Sequence, residues 1–291
     1  MNSAAATEGS SATSYFGQSS RSEYVFSTDP VGRTYLSHQL VPYPFHICRP
    51  HYVDQDPPGM ATLYVQSCSA GLLQHDDLQT SVIAQNGAKI HFTTAAQTIV
   101  HSMDEGDAKQ KVRIEAFPGT LVEYLPESLI LFPRSRLRSS IHITAHEGSS
   151  VVVCERFLIH DYSGGDQTFD RFESDLLVDR PNGDLLALDR FHVTGDVLKK
   201  SLPGVNGSYR AQGSFMVVSE QQAPESIVNA IRQALAQVPG IYAGTSILRN
   251  KSGTWTRVLA SDGLALRSAM IAAWTATREV LTNLRPVPRR K

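Results

Sequence analysis

From Tyr24 to about Val218 the chain alternates apolar and polar residues with period two, and this restricts most of it to half-buried β-strands. In "AKIHFTTAA", Ala88, Ile90, Phe92 and Thr94 share one face and Lys89, His91 and Thr93 the other. "KVRIEAF" sets Val112, Ile114 and Ala116 against Lys111, Arg113 and Glu115, and "LRSSIHI" sends Leu137, Ile141 and Ile143 away from Arg138 and His142. "SVVVCERFL" and "SLILF" are apolar on both sides and predict strands covered on both faces. Glycine turns punctuate these runs at Asn86-Gly87, Pro118-Gly119, Glu147-Gly148 and Asn182-Gly183, at intervals of 32, 29 and 35 residues. Glycine accepts the positive φ of a tight turn, so each can return the chain into a new strand. The implied fold is mainly β, a layered β-sheet or β-solenoid-like body with about two strands per unit. An ordinary sandwich with glycine turns at similar spacing is the alternative.

The pattern changes after Ala223. "PESIVNAIRQALAQVPG" places Ile227, Ile231, Leu235 and Val238 on one helical stripe and stops at Pro239-Gly240. The strand-like "IYAGTSILR" follows, then a second helix in "SDGLALRSAMIAAWTATREVL", with Ser261 or Asp262 as N-cap. Met270 and Trp274 lie on one side of that helix, as core or as a partner-binding surface. The expected organisation is a disordered tail over residues 1–23, a single β-rich domain over 24–285 carrying two C-terminal helices, and a solvated basic tail over 286–291.

The chain has 291 residues, 41% of them hydrophobic, enough for a sizeable core. Its net charge of -1 makes no electrostatic case for nucleic acid or an anionic membrane. No apolar run approaches the roughly 18 residues of a membrane span, and the Ser/Ala-rich opening lacks the apolar region of a secretory signal. Cys48, Cys68 and Cys154 form no CxxC pair, which fits a reducing compartment and a cytoplasmic location.

The most conspicuous cluster of polar side chains is "SAGLLQHDDL". A catalytic metal needs three converging ligands and an open position. His75, Asp76 and Asp77 are consecutive, so on a strand they would point to alternating faces. A turn is the better reading, with a metal-dependent hydrolase built on His75 and Asp76 as the rival. There is no GxSxG elbow, and Gly164-Gly165 lacks the spacing of a phosphate cradle. Three carboxylates fall within apolar strands: Glu123 in "TLVEYLP", Glu155 in "VVVCERFL" and Asp189 in "LLALDRF". Each needs a partner or water. They either pair with arginine, Glu155 and Asp189 having Arg156 and Arg190 beside them, or line a wet internal cavity.

The order of these pieces resembles the UreD (UreH) family of urease accessory proteins. The likeness runs over about residues 30–284, through "GRTYLSHQLVPYPFHICRPHY", "SAGLLQHDDL", "AKIHFTTAAQTIVHS", "VEYLPESLILFPRSRLR", "FESDLLVDRPNGDLLALDRFHV" and "ALRSAMIAAWTATREVL". "EYLPESLILF" is the most specific of them. The sequence departs from the family where Ala70 stands for the first glycine of a pair and His75 for the glycine before the aspartate. A positive φ there would strain His75. The end of the chain also lacks a tryptophan common in the family.

The resemblance implies a non-enzymatic maturation factor, a β-rich scaffold that binds a helical UreF-like partner. Through the complex it would meet a UreG-like GTPase and apo-urease, with homodimerisation within that complex. It implies no tightly bound cofactor, only Ni²⁺ held transiently on an internal, water-filled path. Asp76, Glu123, Glu155 and Asp189 fall where family members carry acids, with His75 as a helper. Dispersed carboxylates and water suit brief binding, whereas a thiolate cage would trap the ion. A metal-free β-sandwich adaptor is the remaining alternative.

Overall fold

The computed structural model describes residues 17–54 and 57–289. Two sheets face each other. The first contains β1 (Ser19–Thr28), β2 (Thr34–Leu40), β5 (Asp77–Ala84), β8 (Ala108–Ala116), β11 (Arg136–Ala145), β13 (Arg171–Asp179) and β14 (Leu185–Val193), in the order β14-β13-β11-β8-β5-β1-β2. The second contains β3 (Phe45–Ile47), β4 (Ala61–Ser67), β6 (Lys89–Thr94), β9 (Leu121–Tyr124), β12 (Ser150–Ile159), β15 (Ala211–Ser219), β16 (Ile241–Ile247) and β17 (Gly253–Ala260). Its order is β16-β17-β15-β12-β9-β6-β4-β3, with the short β7 (Thr98–Val100) and β10 (Leu129–Leu131) attached beside β12.

The central strands are parallel within each sheet, β5, β8, β11 and β13 in the first and β4, β6, β9 and β12 in the second. The chain reaches this arrangement by coiling from one sheet to the other, β5 to β6, β8 to β9 and β11 to β12. Gly87, Gly119 and Gly148 turn the corners at φ of 74°, 75° and 74°. A Cβ on Gly119 would lie 3.9 Å from the Gly87 Cα, so successive corners stack directly on one another. The solenoid-like reading therefore holds for three of the four glycine turns. Gly183 instead closes the antiparallel β13–β14 hairpin, which ends the coiling.

One core fills the space between the sheets, with Tyr24, Phe26, Ile90, Phe92, Ile114, Ile143, Val153 and Met216 among its members. A second lies between the other face of the second sheet and two helices, α2 (Pro224–Leu235) and α3 (Gly263–Thr282). β12 is thus covered on both sides, as its apolar sequence predicts. Ile227, Ile231 and Leu235 of α2 are buried as expected, and Asp262 caps α3 by accepting the Ala265 N–H at 2.8 Å. A further helix, α1 (Gly195–Lys199), has no counterpart in the sequence pattern.

One open alternative is decided and two expectations need correction. Met270 and Trp274 are 4% and 6% exposed and pack onto the sheet, which is the core reading of the α3 stripe; Leu264 and Ile271 are the exposed apolar residues of α3. β1 begins at Ser19, inside the segment read as a disordered tail, because it pairs in parallel with β5 from Ser19 opposite Asp77 onward. The basic tail is anchored as far as Arg289, whose guanidinium is buried against Asp54. Residues 1–16 and 290–291 lie outside the described residues.

Candidate functional site

A polar strip crosses the apolar layer between the sheets near one end of the sandwich. On the second sheet Glu155, Ser214 and Arg257 are cross-strand neighbours on β12, β15 and β17. Side chains directly opposite in a sheet share a face, and Glu155 follows the core residue Val153 by two positions, so all three point inward. From the first sheet, Ser139 Oγ donates to Glu155 Oε1 at 2.7 Å, and Ser174 Oγ donates to Oε2. Asp189 on β14 lies opposite the core residue Leu176 and also faces inward. Its two oxygens accept from Arg257 Nη2 at 2.9 and 3.1 Å. The guanidinium is flanked by the Phe191 and Trp255 rings, 5.1 and 4.7 Å away.

Burial pushes the Glu155 carboxyl above its ordinary value, and the Asp189 charge adds to this. The serine hydroxyls and Arg257 oppose the shift without reversing it. Glu155 and Asp189 line a chamber of about 10 Å³ together with Gln212, Ser214 and Arg257, roughly the space one water needs. Phe191, Gln212 and Arg257 also belong to the wall of a cleft of about 870 Å³, rimmed by the exposed Val205 and Tyr242. On the other side stands Tyr124, hydrogen-bonded to Gln110 and within reach of the Glu155 charge. It helps to line a cavity of about 420 Å³ that includes Thr80, Gln110 and the exposed Cys68. Polar groups thus interrupt a layer that is otherwise hydrophobic, and the chamber shares wall residues with the larger cleft.

Glu123 is not part of this strip. It is paired with Val152, and one strand position separates inward from outward, so Glu123 faces the helices with Cys154 while Tyr124 and Glu155 face the other sheet. Its carboxylate is 0% exposed. It accepts from His91 Nδ1 at 2.7 Å, Trp274 Nε1 at 2.9 Å, and Arg278 Nε and Nη2 at 2.6 and 2.5 Å. Arg278 Nη1 reaches Asp54 Oδ2 at 3.3 Å, and Asp54 also holds the Val287 N–H at 2.9 Å and the Arg289 guanidinium. Burial alone would raise the Glu123 carboxyl, but the Arg278 charge and the bonds from Arg278 and His91 hold it far below the usual range. Burial depresses His91 below its ordinary value, and its Nδ1–H donates to the carboxylate, which can only accept.

Asp76 and His75 occupy a turn at the start of β5, apart from both groups. Asp76 is buried and accepts the Leu73 and Gln18 N–H groups, each at 2.8 Å. The expected strain is present: His75 has φ 66°. Its half-exposed ring lies 3.7 Å from Glu105, while Asp77 pairs with Lys111 at 3.0 Å. The three consecutive side chains therefore diverge, and among the described residues no three His, Cys, Asp or Glu side chains are placed to hold a metal.

The pairing expected between sequence neighbours also fails. Arg156 turns to Glu127 at 2.9 Å and Arg190 to Asp175 at 3.6 Å, because consecutive strand residues point to opposite faces. Sequence reasoning missed Ser139, Ser174, Ser214 and Arg257 of the strip, and Asp54 and Arg278 of the buried network. The alternation of "GTWTRVLA" puts Arg257 on the face of Trp255, a signal for an inward cation, although nothing in the sequence names its partner.

The profile of the family described as UreD urease accessory protein matches residues 19–291. The chain belongs to that family. Among relatives, a protein named urease accessory protein UreD 1 from Pseudomonas syringae pv. syringae is 42% identical over 275 residues, covering 94% of this chain and 96% of the relative. One of the same name from Methylorubrum populi is 35% identical, covering 89% and 88%. Urease accessory protein UreD 2 of Streptomyces griseus is 32% identical, covering 88% of each chain.

Proposed function

We propose that this chain is a non-enzymatic scaffold for urease maturation that passes Ni²⁺ along the polar strip between its sheets. The observation that carries this reading is the pair Glu155 and Asp189, inward-facing acids at one small polar chamber that shares its wall with a larger surface cleft. Carboxylate, hydroxyl and amide oxygens bind a divalent cation without the grip of a thiolate set, which suits transfer more than storage. Of the acids singled out in the sequence, Glu155 and Asp189 are assigned to the path. Glu123 has both oxygens committed to Arg278, His91 and Trp274, and Asp76 spends its oxygens on two backbone N–H groups. In this reading the partners are apo-urease, a UreF-like helical protein and, through the complex, a UreG-like GTPase, with homodimerisation inside the assembly and a cytoplasmic location.

The test is activation of apo-urease with nickel, bicarbonate and both partners. Glu155→Gln combined with Asp189→Asn is expected to co-purify with the partners normally and to lower activation at least tenfold. Full activation by that double variant would leave the metal-free adaptor as the better reading.

A further inference from the structure

We infer that Arg257 is an internal latch: its guanidinium holds the place on Asp189 that a divalent cation must take to bridge Asp189 and Glu155, and passage requires it to swing aside. The inference rests on the delivery reading above and adds to it the residue that controls entry. Nη2 of Arg257 contacts both Asp189 oxygens, so the carboxylate face presented to the chamber is occupied by a charge belonging to the protein. The chamber beside it, about 10 Å³, has room for one water and none for a hydrated metal ion. Displacing the guanidinium frees two carboxylate oxygens and enlarges that space in a single movement.

The surroundings give the guanidinium somewhere to go. Arg257 belongs to the wall of the 870 Å³ cleft as well as to the chamber, so a swing outward leads into open volume. Its cross-strand neighbour on the edge strand β16 is Gly244, and a Cβ there would meet nothing within 4 Å. No side chain at that position blocks the route. Phe191 and Trp255 flank the guanidinium and also line the cleft, so their faces can support the cation during the movement. Charge favours the exchange as well. One arginine faces two acids, whereas one divalent ion matches both.

The experiment is titration of the full chain with Ni²⁺, read by quenching of Trp255 fluorescence and by equilibrium dialysis, with Trp255→Phe identifying the signal. Arg257→Met keeps the aliphatic stem and removes the charge; it is expected to bind one Ni²⁺ at least tenfold more tightly than the native chain. Adding Asp189→Asn is expected to abolish the gain. Arg257→Lys retains a charge and is expected to stay within about threefold of native affinity, while Arg257→Gln, a second charge-free variant, is expected to show the tenfold gain and replaces Arg257→Met in every comparison if the methionine variant folds poorly. Binding by Arg257→Met no tighter than native, or by Arg257→Lys as tight as by Arg257→Met, overturns the latch. Should the latch fail while Glu155→Gln with Asp189→Asn still abolishes urease activation, the delivery reading stands alone. Should Arg257→Met gain an Asp189-dependent site while that double variant activates urease normally, the latch stands as a cation site and the delivery reading falls.

Discussion

Glu123 and Glu155 lie on adjacent strands of one sheet, three positions apart in register, and their environments are opposites. Glu123 faces the helices and is locked by a histidine, a tryptophan and an arginine that is itself tied to Asp54. Glu155 faces the other sheet and is held by two serine hydroxyls beside a second acid. The first carboxyl is pushed down and the second up. An acid inside a strand is therefore no indication of function. A buried counter-charge makes Glu123 a fastener, whereas neutral hydroxyl donors hold Glu155 at the edge of a small polar chamber.

The largest expected effect comes from breaking the fastener. Glu123→Ala takes the nearest carboxylate from the buried Arg278, leaving Asp54 to hold its charge, and is expected to destabilise the chain by about 3–5 kcal/mol in urea unfolding, whereas Glu155→Gln is expected to stay within about 1 kcal/mol of native. Equal losses in the two variants would erase the distinction. Next comes Arg289→Ala, which removes the charged bonds anchoring the end of the chain to Asp54; a loss of roughly 1.5–3 kcal/mol is expected, with faster carboxypeptidase trimming as the second readout. Unchanged trimming would show that the anchor does not depend on Arg289.

The smallest effect is a difference in pH dependence. Glu123 has a depressed carboxyl, so its contribution to stability is present above the ordinary value of 4.5 and is lost as pH falls toward its folded value. Glu155 has a raised one, so its contribution is full below 4.5 and is lost as pH rises through its folded value. Glu155→Gln is accordingly expected to gain stability relative to native as pH rises from 4.5 toward neutrality. Urea curves across that range check the sign, and a gain that instead grows on acidification would contradict the assignment of Glu155.

Much of this was legible beforehand for local reasons. Alternation and glycine turns are short-range signals, and "AKIHFTTAA" places Ile90 and Phe92 on the face they in fact bury. The strain at His75 was readable because a backbone conformation acts on its own residue. The helical stripe of Met270 and Trp274 was visible too, but a stripe shows only that something covers it; that the cover is the sheet depended on packing.

The sequence by itself determined the period of the strands, the corners of the coil, the two late helices and, through the order of its motifs, the family. Tertiary structure alone decided the fate of each acid, since the partners are remote: Arg257 lies 68 residues from Asp189, Arg278 155 from Glu123 and Arg289 235 from Asp54. The neighbouring arginines, Arg156 and Arg190, were unavailable because adjacent strand residues face opposite ways. Charge pairing in a β-rich chain is set across strands and between layers, and only the folded register brings those layers together.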